Sequence, residues 1–432
     1  MWSMKRHVRV CVNHQRVVAR RDFLKGVSLA SLAAGTLSWT DLLAGEADAL
    51  RRRGMACILL WMQGGPSQFE TFDPKPDHEN GGETKAIQTS VPGMQISENF
   101  PHLARLMDRV ALVRSMTSKE GNHQRASFLL HTGYVPNASV KHPTLGSLVV
   151  HERPSADCKL PAFVRVGDRR GNFGSGGFLG VEYDPFTLAK ADRLPDNSTP
   201  TTDVPRYERR LGLLRRLEGQ YGSGPAAQLV ADHQKLYARA SRMILASEMK
   251  AFDISQEPEA SRAAYGSSDF GAGCLLARRL IEAGVTFVEV ESNGWDTHAD
   301  GFQRVRDLAN QVDQPFAQLL QDLSDRGLLD TTLVIWMGEF GRTPRINGRG
   351  GRDHYPKAFN VALAGGGIRG GQVIGATDPS GTEVIERPVT VQDLFRTFCA
   401  SLKIDADNEN MTPIGRPIKV VEGGEPITEL FT

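Results

Sequence analysis

The stretch Thr331–Gly367, TTLVIWMGEFGRTPRINGRGGRDHYPKAFNVALAGGG, decides how the rest of the chain is read. Leu333 to Met337 is a short apolar run with Val and Ile, the pattern of a buried strand. It breaks at Gly338-Glu339 into a loop dense in Gly, Arg and Asn, and a second apolar run, Phe359 to Ala364, follows. Between the two runs lie Glu339, Arg342, Arg345, Arg349, Arg352, Asp353 and His354. In open α/β sheets ligands collect outside the carboxyl ends of strands, where loops carry polar groups on a rigid base. A carboxylate at a strand end, followed by an Asp-His pair and several arginines, suits a metal ion and a bound anion. A solvated loop whose charges pair with one another has the same composition, so the rest of the chain must decide.

Three other strand ends supply groups of the same kind. Thr286 to Val290 reads as a strand, and the loop after it holds Asp296 and His298, with Asp300 close by. This is the most compact ligand set in the chain; carboxylate oxygen with imidazole nitrogen suits zinc, manganese, iron or magnesium chemistry. Ala56 to Met62 reads as the first central strand and ends in Gln63-Gly64-Gly65-Pro66-Ser67, where the glycines allow close backbone approach. Ser67, Glu70 and Asp73 either join the same strand-end site or cap turns. Val110 to Arg114 is a further strand, leading into a helix that ends near His131-Thr132-Gly133. A helix start offers free amides and a positive dipole end. Thr117, Ser118 and His123 are the groups that could react there, and Lys119 and Arg125 could hold a negative substrate group. An N-cap with exposed charges is the alternative.

The remaining segments fill in the alternation. Pro143–Val150 reads as a helix, Ala162–Val166 as a strand, and Gly171–Gly180 as a mobile glycine-rich loop near which a substrate could enter. Asp184–Pro205 has no clear periodicity, and Tyr207–Gln220 and Ala226–Ala251 are helical with charged faces. Residues from about 184 to 255 are read as a helical insertion or cap. Phe270–Ala283, Gly301–Arg326 and Val389–Leu402 are further helices. Strands alternating with helices argue for an α/β domain over residues 50–432, with a mostly parallel central sheet and helices on both faces.

With 40% hydrophobic and 23% charged residues the composition is that of an ordinary globular protein, and a net charge of +1 gives no global field for nucleic acid. Arg20-Arg21-Asp22-Phe23-Leu24-Lys25 is a twin-arginine element, followed by the apolar run Gly26–Trp39 and the small-x-small site Ala47-Asp48-Ala49. Residues 1–49 are read as a signal peptide addressed to the twin-arginine export machinery, giving a periplasmic or secreted protein. The apolar run is too short, and too rich in Ser, Gly and Ala, to span a bilayer stably. The five cysteines show no CxxC or Cys-His spacing, so buried free thiols are expected rather than a zinc–thiolate site.

GGPSQFETFDPKP (64–76), NHQRASFLLHTGY (122–134), NGWDTH (293–298) and GEFGRTP with GRDHYP (338–356) resemble the exported bacterial DUF1501 family over nearly the whole chain after the leader. That family is in turn similar to the alkaline phosphatase and sulfatase superfamily. The resemblance implies an alkaline-phosphatase-like fold, and hydrolysis of phosphate or sulfate esters, with an anionic ester or sulfated glycan as substrate. It also implies a divalent metal (zinc, calcium, magnesium or manganese) held by Asp296, His298, Glu339, Asp353 and His354. Arg125 and Arg342 would stabilise charge on the transferred group, with Thr117 or Ser118 as nucleophile or a metal-bound hydroxide in their place. The chain departs from the superfamily in ending its first strand with Gln63-Gly64 instead of an aspartate. A degenerate hydrolase fold that binds or assembles without turnover is the other function these departures allow.

Overall fold

The computed structural model describes residues 54–154, 158–167, 175–221, 223 and 226–431, together with the backbone of Val10–Cys11 and Val17–Val18, which pair antiparallel. The twin-arginine segment and its Ala47–Ala49 site lie outside the described residues, as does part of the Gly171–Gly180 loop. Among the described residues a nine-stranded sheet forms from β1 (Ala56–Gln63), β2 (Val110–Thr117), β3 (Phe163–Val166), β4 (Phe186–Leu188), β5 (Phe287–Asn293), β6 (Thr332–Met337), β7 (Phe359–Ala364), β8 (Val373–Ile374) and β9 (Val389–Thr390). Its order is β8-β2-β7-β6-β1-β5-β3-β4, with β9 also pairing β2.

All pairings are parallel except the two that β7 makes, with β6 and with β2. The sheet is mixed but mostly parallel. Because β7 runs backwards, its beginning lies at the edge where β1, β2, β5 and β6 end. Loops from five strands are thereby delivered to one rim.

The apolar runs become strands because each face of the sheet is covered. Along β1 and β6 every second side chain points the same way. Cys57, Leu59, Trp61, Leu333 and Ile335 join a core with residues of α1 (His123–Thr132), α2 (Leu145–Glu152) and the C-terminal helix Val391–Leu402. On the opposite face Trp336 meets Phe72, Phe100 and Trp295 edge-on or tilted away from parallel. The helix Asp269–Glu282 packs there through Gly273, where a Cβ would lie 2.6 Å from a Val290 methyl. Gly301–Asp325 runs alongside that helix.

Several elements differ from the sequence reading. β2 continues to Thr117 past the polar Arg114, because Met116 is held by both β7 and β9 and Thr117 by β9. Val389-Thr390, expected in a helix, is that short strand, and the helix starts after Thr390 caps it. β4 forms within the segment where no period was visible; three residues are too few to show one. The helical pair resolves as α3 (Val204–Gly219) and α4 (Ala227–Ile244). Cys57, Cys274 and Cys399 are buried and Cys158 half-buried, and all four are free thiols. Among the described residues no helix is long and apolar enough to cross a membrane.

Away from the rim, His142 is 5% exposed and its ring stacks on Tyr134 at 3.9 Å, with Nδ1 unpartnered. Burial first, and then the charge of Arg416, push its pKa down to about 4. The folded state thus binds fewer protons than the unfolded chain between about pH 6.5 and 4. Stability is full above this window and falls as pH drops through it, by on the order of 2–3 kcal/mol. Denaturant midpoints measured from pH 7 to 4 should fall less steeply for His142→Gln than for the native chain.

Candidate metal centre

The centre is assembled from two loops and one helix start. Asp296 and His298 follow β5, His354 lies just before β7, and His123 is the first residue of α1. The ligand-type atoms of His123, Asp296 and His354 lie within 4.8 Å of one another. Asp296 Oδ1 is 3.0 Å from His298 Nε2, 3.3 Å from His354 Nε2 and 3.4 Å from His123 Nε2. The Nε2 atoms of His298 and His354 face each other at 3.0 Å.

The other nitrogen of each ring is committed elsewhere. His123 Nδ1 lies 2.6 Å from Glu339 Oε1, His298 Nδ1 2.9 Å from Asp353 Oδ1, and His354 Nδ1 2.8 Å from the Gly121 carbonyl. Carboxylates and carbonyls only accept, so the proton of each neutral ring sits on Nδ1 and Nε2 carries the lone pair. Two such lone pairs at 3.0 Å repel unless a cation lies between or beside them. His123 Nε2 is buried and makes no hydrogen bond. Histidines that donate through one nitrogen to a carboxylate or carbonyl and aim the other at a common point are the arrangement in which proteins hold metal. The donor set fits a divalent ion.

The supporting shell explains the sequence around it. Glu339 is fully buried and accepts from the Gly64 amide at 3.0 Å as well as from His123. Gly64 has φ +120°, and a Cβ there would stand 2.4 Å from the Asp296 amide nitrogen, so this strand end must be glycine. Arg342 is also fully buried; its guanidinium donates to the carbonyls of Gly64, Gly65, Trp295 and Arg352 and to Asp296 Oδ1 at 2.6 Å. Burial opposes the Asp296 charge, but the Arg342 hydrogen bond and charge, with those of His123 and His298, hold its pKa at about 2. Burial likewise opposes protonation of His123, yet Glu339 and Asp296 raise its pKa above the usual value. For His354 burial prevails and, with Arg342 and His123, lowers the pKa despite the Gly121 carbonyl.

Of the residues expected at the site, Asp296, His298 and His354 come together with their ligand atoms facing one another. Glu339 and Asp353 stand behind His123 and His298, with their oxygens turned to the rings and the backbone. His123, expected as a reactive group, presents Nε2 to the same point as the other imidazoles. Arg342 is not free to meet a substrate, since its donors are spent on four carbonyls and Asp296. Arg125 points away: it is half exposed and forms a paired ion bridge to Glu120. The free amides expected at the helix start are capped by Asn122, which accepts from Gln124 and Arg125. Thr117 donates to the Val389 carbonyl at 3.3 Å, and the Ser118 hydroxyl accepts from the Glu120 amide at 3.2 Å. Glu70 pairs with buried Arg352, and Asp73 accepts from Thr377 and Lys75, so both act in the scaffold. The Ser67 hydroxyl is buried without a partner. The Gly121 carbonyl and the Gly64 amide went unnoticed in the sequence, because backbone groups leave no residue-type signal.

Glu339→Gln tests the supporting shell. The amide keeps the shape of the side chain but offers a weaker acceptor to His123. Zinc affinity, measured by competition with a chromophoric chelator, should fall by about 10–100-fold while the unfolding midpoint in chelator moves little.

Solved structures to which the chain is similar are distant. They include a sulfatase from Pseudoalteromonas sp. (15% identity, covering 84% of this chain and 70% of that one, TM-score 0.39). A phosphonate monoester hydrolase of Agrobacterium radiobacter is 13% identical, with 87% and 77% covered and a TM-score of 0.32. A murine ectonucleotide pyrophosphatase/phosphodiesterase is 9% identical, with 82% and 97% covered and a TM-score of 0.36. No curated protein matches. The family model described as "Protein of unknown function (DUF1501)" matches residues 55–431, and the chain belongs to that family.

Proposed function

We propose that this protein is an exported metal-dependent hydrolase of sulfate or phosphate esters. The observation that carries the proposal is the convergence of three imidazole Nε2 atoms on Asp296, each ring fixed from behind by an acceptor. His123, His298, His354 and Asp296 would hold the ion. Three imidazoles favour zinc or manganese over calcium and magnesium, which take mainly oxygen ligands. A divalent ion bound there would polarise an ester oxygen and acidify a water molecule. Glu339, Asp353 and the Gly121 carbonyl keep the rings oriented, and Arg342 keeps Asp296 ionised and in place. Asp296 and His298 are 44% and 31% exposed at their side chains, which leaves the cluster open to solvent. Zinc expands from four to five ligands, so this exposure would leave room for a water molecule beside the four protein donors. Arg345 and Arg349, exposed on the adjoining loop, are available to an anionic substrate. The Thr117 hydroxyl proton is spent on the Val389 carbonyl, and water is the attacking group in this reading, with Ser118 as the other nucleophile within the same loop. The motif resemblance to phosphatases and sulfatases selects esters among the reactions such an ion supports.

The engaged Thr117 hydroxyl and the inward-held Arg342 also favour a second reading, an envelope protein that binds anions or glycans through the same ion without turnover. Metal analysis after incubation with zinc and manganese, followed by a panel of sulfate and phosphate monoesters, separates the two. Turnover lost with chelator, restored by zinc or manganese and absent in His298→Ala supports the hydrolase. A metal-loaded protein inert on the panel leaves the binding reading. Failure to retain any divalent ion overturns both.

A further inference from the structure

We propose that α3 is a docking surface for an anionic phospholipid membrane, a reading independent of the metal centre. Helix α3 starts where Asp203 accepts from the Arg206 amide, and none of its residues is fully buried. Its inner side is fixed by contacts to α4, through Tyr207 with Ser241 and Glu218 with His233. Tyr207, Leu211, Leu214 and Glu218 on that side are half-buried. A second side, about a third of a turn round the helix, carries Leu213 and Leu217, each 52% exposed, and just past the helix end Tyr221 is 64% exposed. The spacing of four puts Leu213 and Leu217 on a single line along the helix. Arg206 and Arg210 extend that line toward the N-terminus, and Arg209 and Arg216 flank it, all exposed. The helix holds five arginines against two glutamates.

The charge and shape of this face choose among occupants. A second copy docked across a two-fold axis would set arginine against arginine. The first fifty residues are themselves basic, with seven Lys/Arg against four Asp/Glu, and do not complement it. An acidic protein would need a pocket for its anchoring side chains, and a lone convex helix has none. A headgroup layer needs no pocket: Leu213, Leu217 and Tyr221 enter the acyl boundary while the arginine stems reach up to phosphate. Exposed Leu229 on α4, 73% accessible, enlarges the apolar surface of this helical pair.

The test uses the full chain with vesicles of phosphatidylglycerol and phosphatidylcholine, or of phosphatidylcholine alone. It reads co-sedimentation and hydrogen exchange of residues 204–221. Anionic vesicles should slow exchange in that segment, with affinity at least about tenfold weaker for neutral vesicles or in high salt. Leu213→Asp with Leu217→Asp, and separately Arg206→Glu with Arg210→Glu, should each remove the protection. Both pairs are exposed, so circular dichroism and metal content should stay unchanged. Exchange indifferent to anionic vesicles, or protection surviving both variants, overturns the proposal. So does protection that rises with protein concentration alone, which indicates a second copy. Protection by polyglutamate without any by vesicles overturns it in favour of an acidic protein partner.

Discussion

Replacing His354 with alanine is expected to abolish retention of zinc or manganese through gel filtration, with affinity falling by more than about a hundredfold. Loss of a residue behind the ligands costs 10–100-fold, and loss of a ligand exceeds that. His354 Nε2 sits 3.0 Å from His298 Nε2 and 3.3 Å from Asp296 Oδ1, so its removal opens one side of the donor set. The ring is about a quarter exposed, and its other contacts are the Gly121 carbonyl and the rings of His123 and Phe340. The fold should therefore tolerate the change: in chelator, thermal unfolding of His354→Ala and of the native chain should nearly coincide. In excess zinc only the native chain should gain stability, by mass action. Identical zinc content in both proteins would remove the centre from consideration.

Arg342→Ala should show the reverse, a large loss of stability even in chelator. The guanidinium is wholly buried and carries its charge against Asp296, while burial lowers its pKa. Its removal leaves four carbonyls and a carboxylate short of a donor. Breaking a buried, hydrogen-bonded charge pair costs about 3–5 kcal/mol. Arg342→Lys should recover little, because one ammonium cannot span acceptors distributed around a planar fork. Denaturant unfolding in chelator reads this term free of metal loss. A change under about 0.5 kcal/mol, as for an ordinary surface position, would contradict the clamp assigned to Arg342.

The strands Thr332–Met337 and Phe359–Ala364 announce themselves because both faces of each are covered, so that one polar residue apiece, Thr332 and Asn360, interrupts an otherwise apolar run. That Asp296, His298 and His354 meet is legible from one rule, the gathering of strand-end loops at a single rim. The backward run of β7 is not legible, since an apolar hexamer has no preferred direction; pairing with its neighbours sets it. Nor does residue type tell a carboxylate that faces a metal from one that faces a ring. Glu339 and Asp296 both follow strand ends, and only the Gly64 amide and the His123 ring, reached from distant parts of the chain, turn Glu339 inward. Thr117 and Ser118 looked reactive as hydroxyls on a helix approach. Their partners are backbone groups, the Val389 carbonyl for Thr117 and the Glu120 amide for Ser118, which no residue type announces.

Among the described residues β2 pairs only with β7, β8 and β9, all made after Tyr355. During synthesis Val110–Thr117 and the imidazole that follows it wait for a partner until most of the chain has left the ribosome. A nascent or shortened chain ending before Phe359 has β1 to β6 but lacks β7, β8 and β9, the strands that couple β2 and the adjoining His123 to the sheet. Assembly of the proposed ion site thus becomes a late event, one that follows the synthesis of β7.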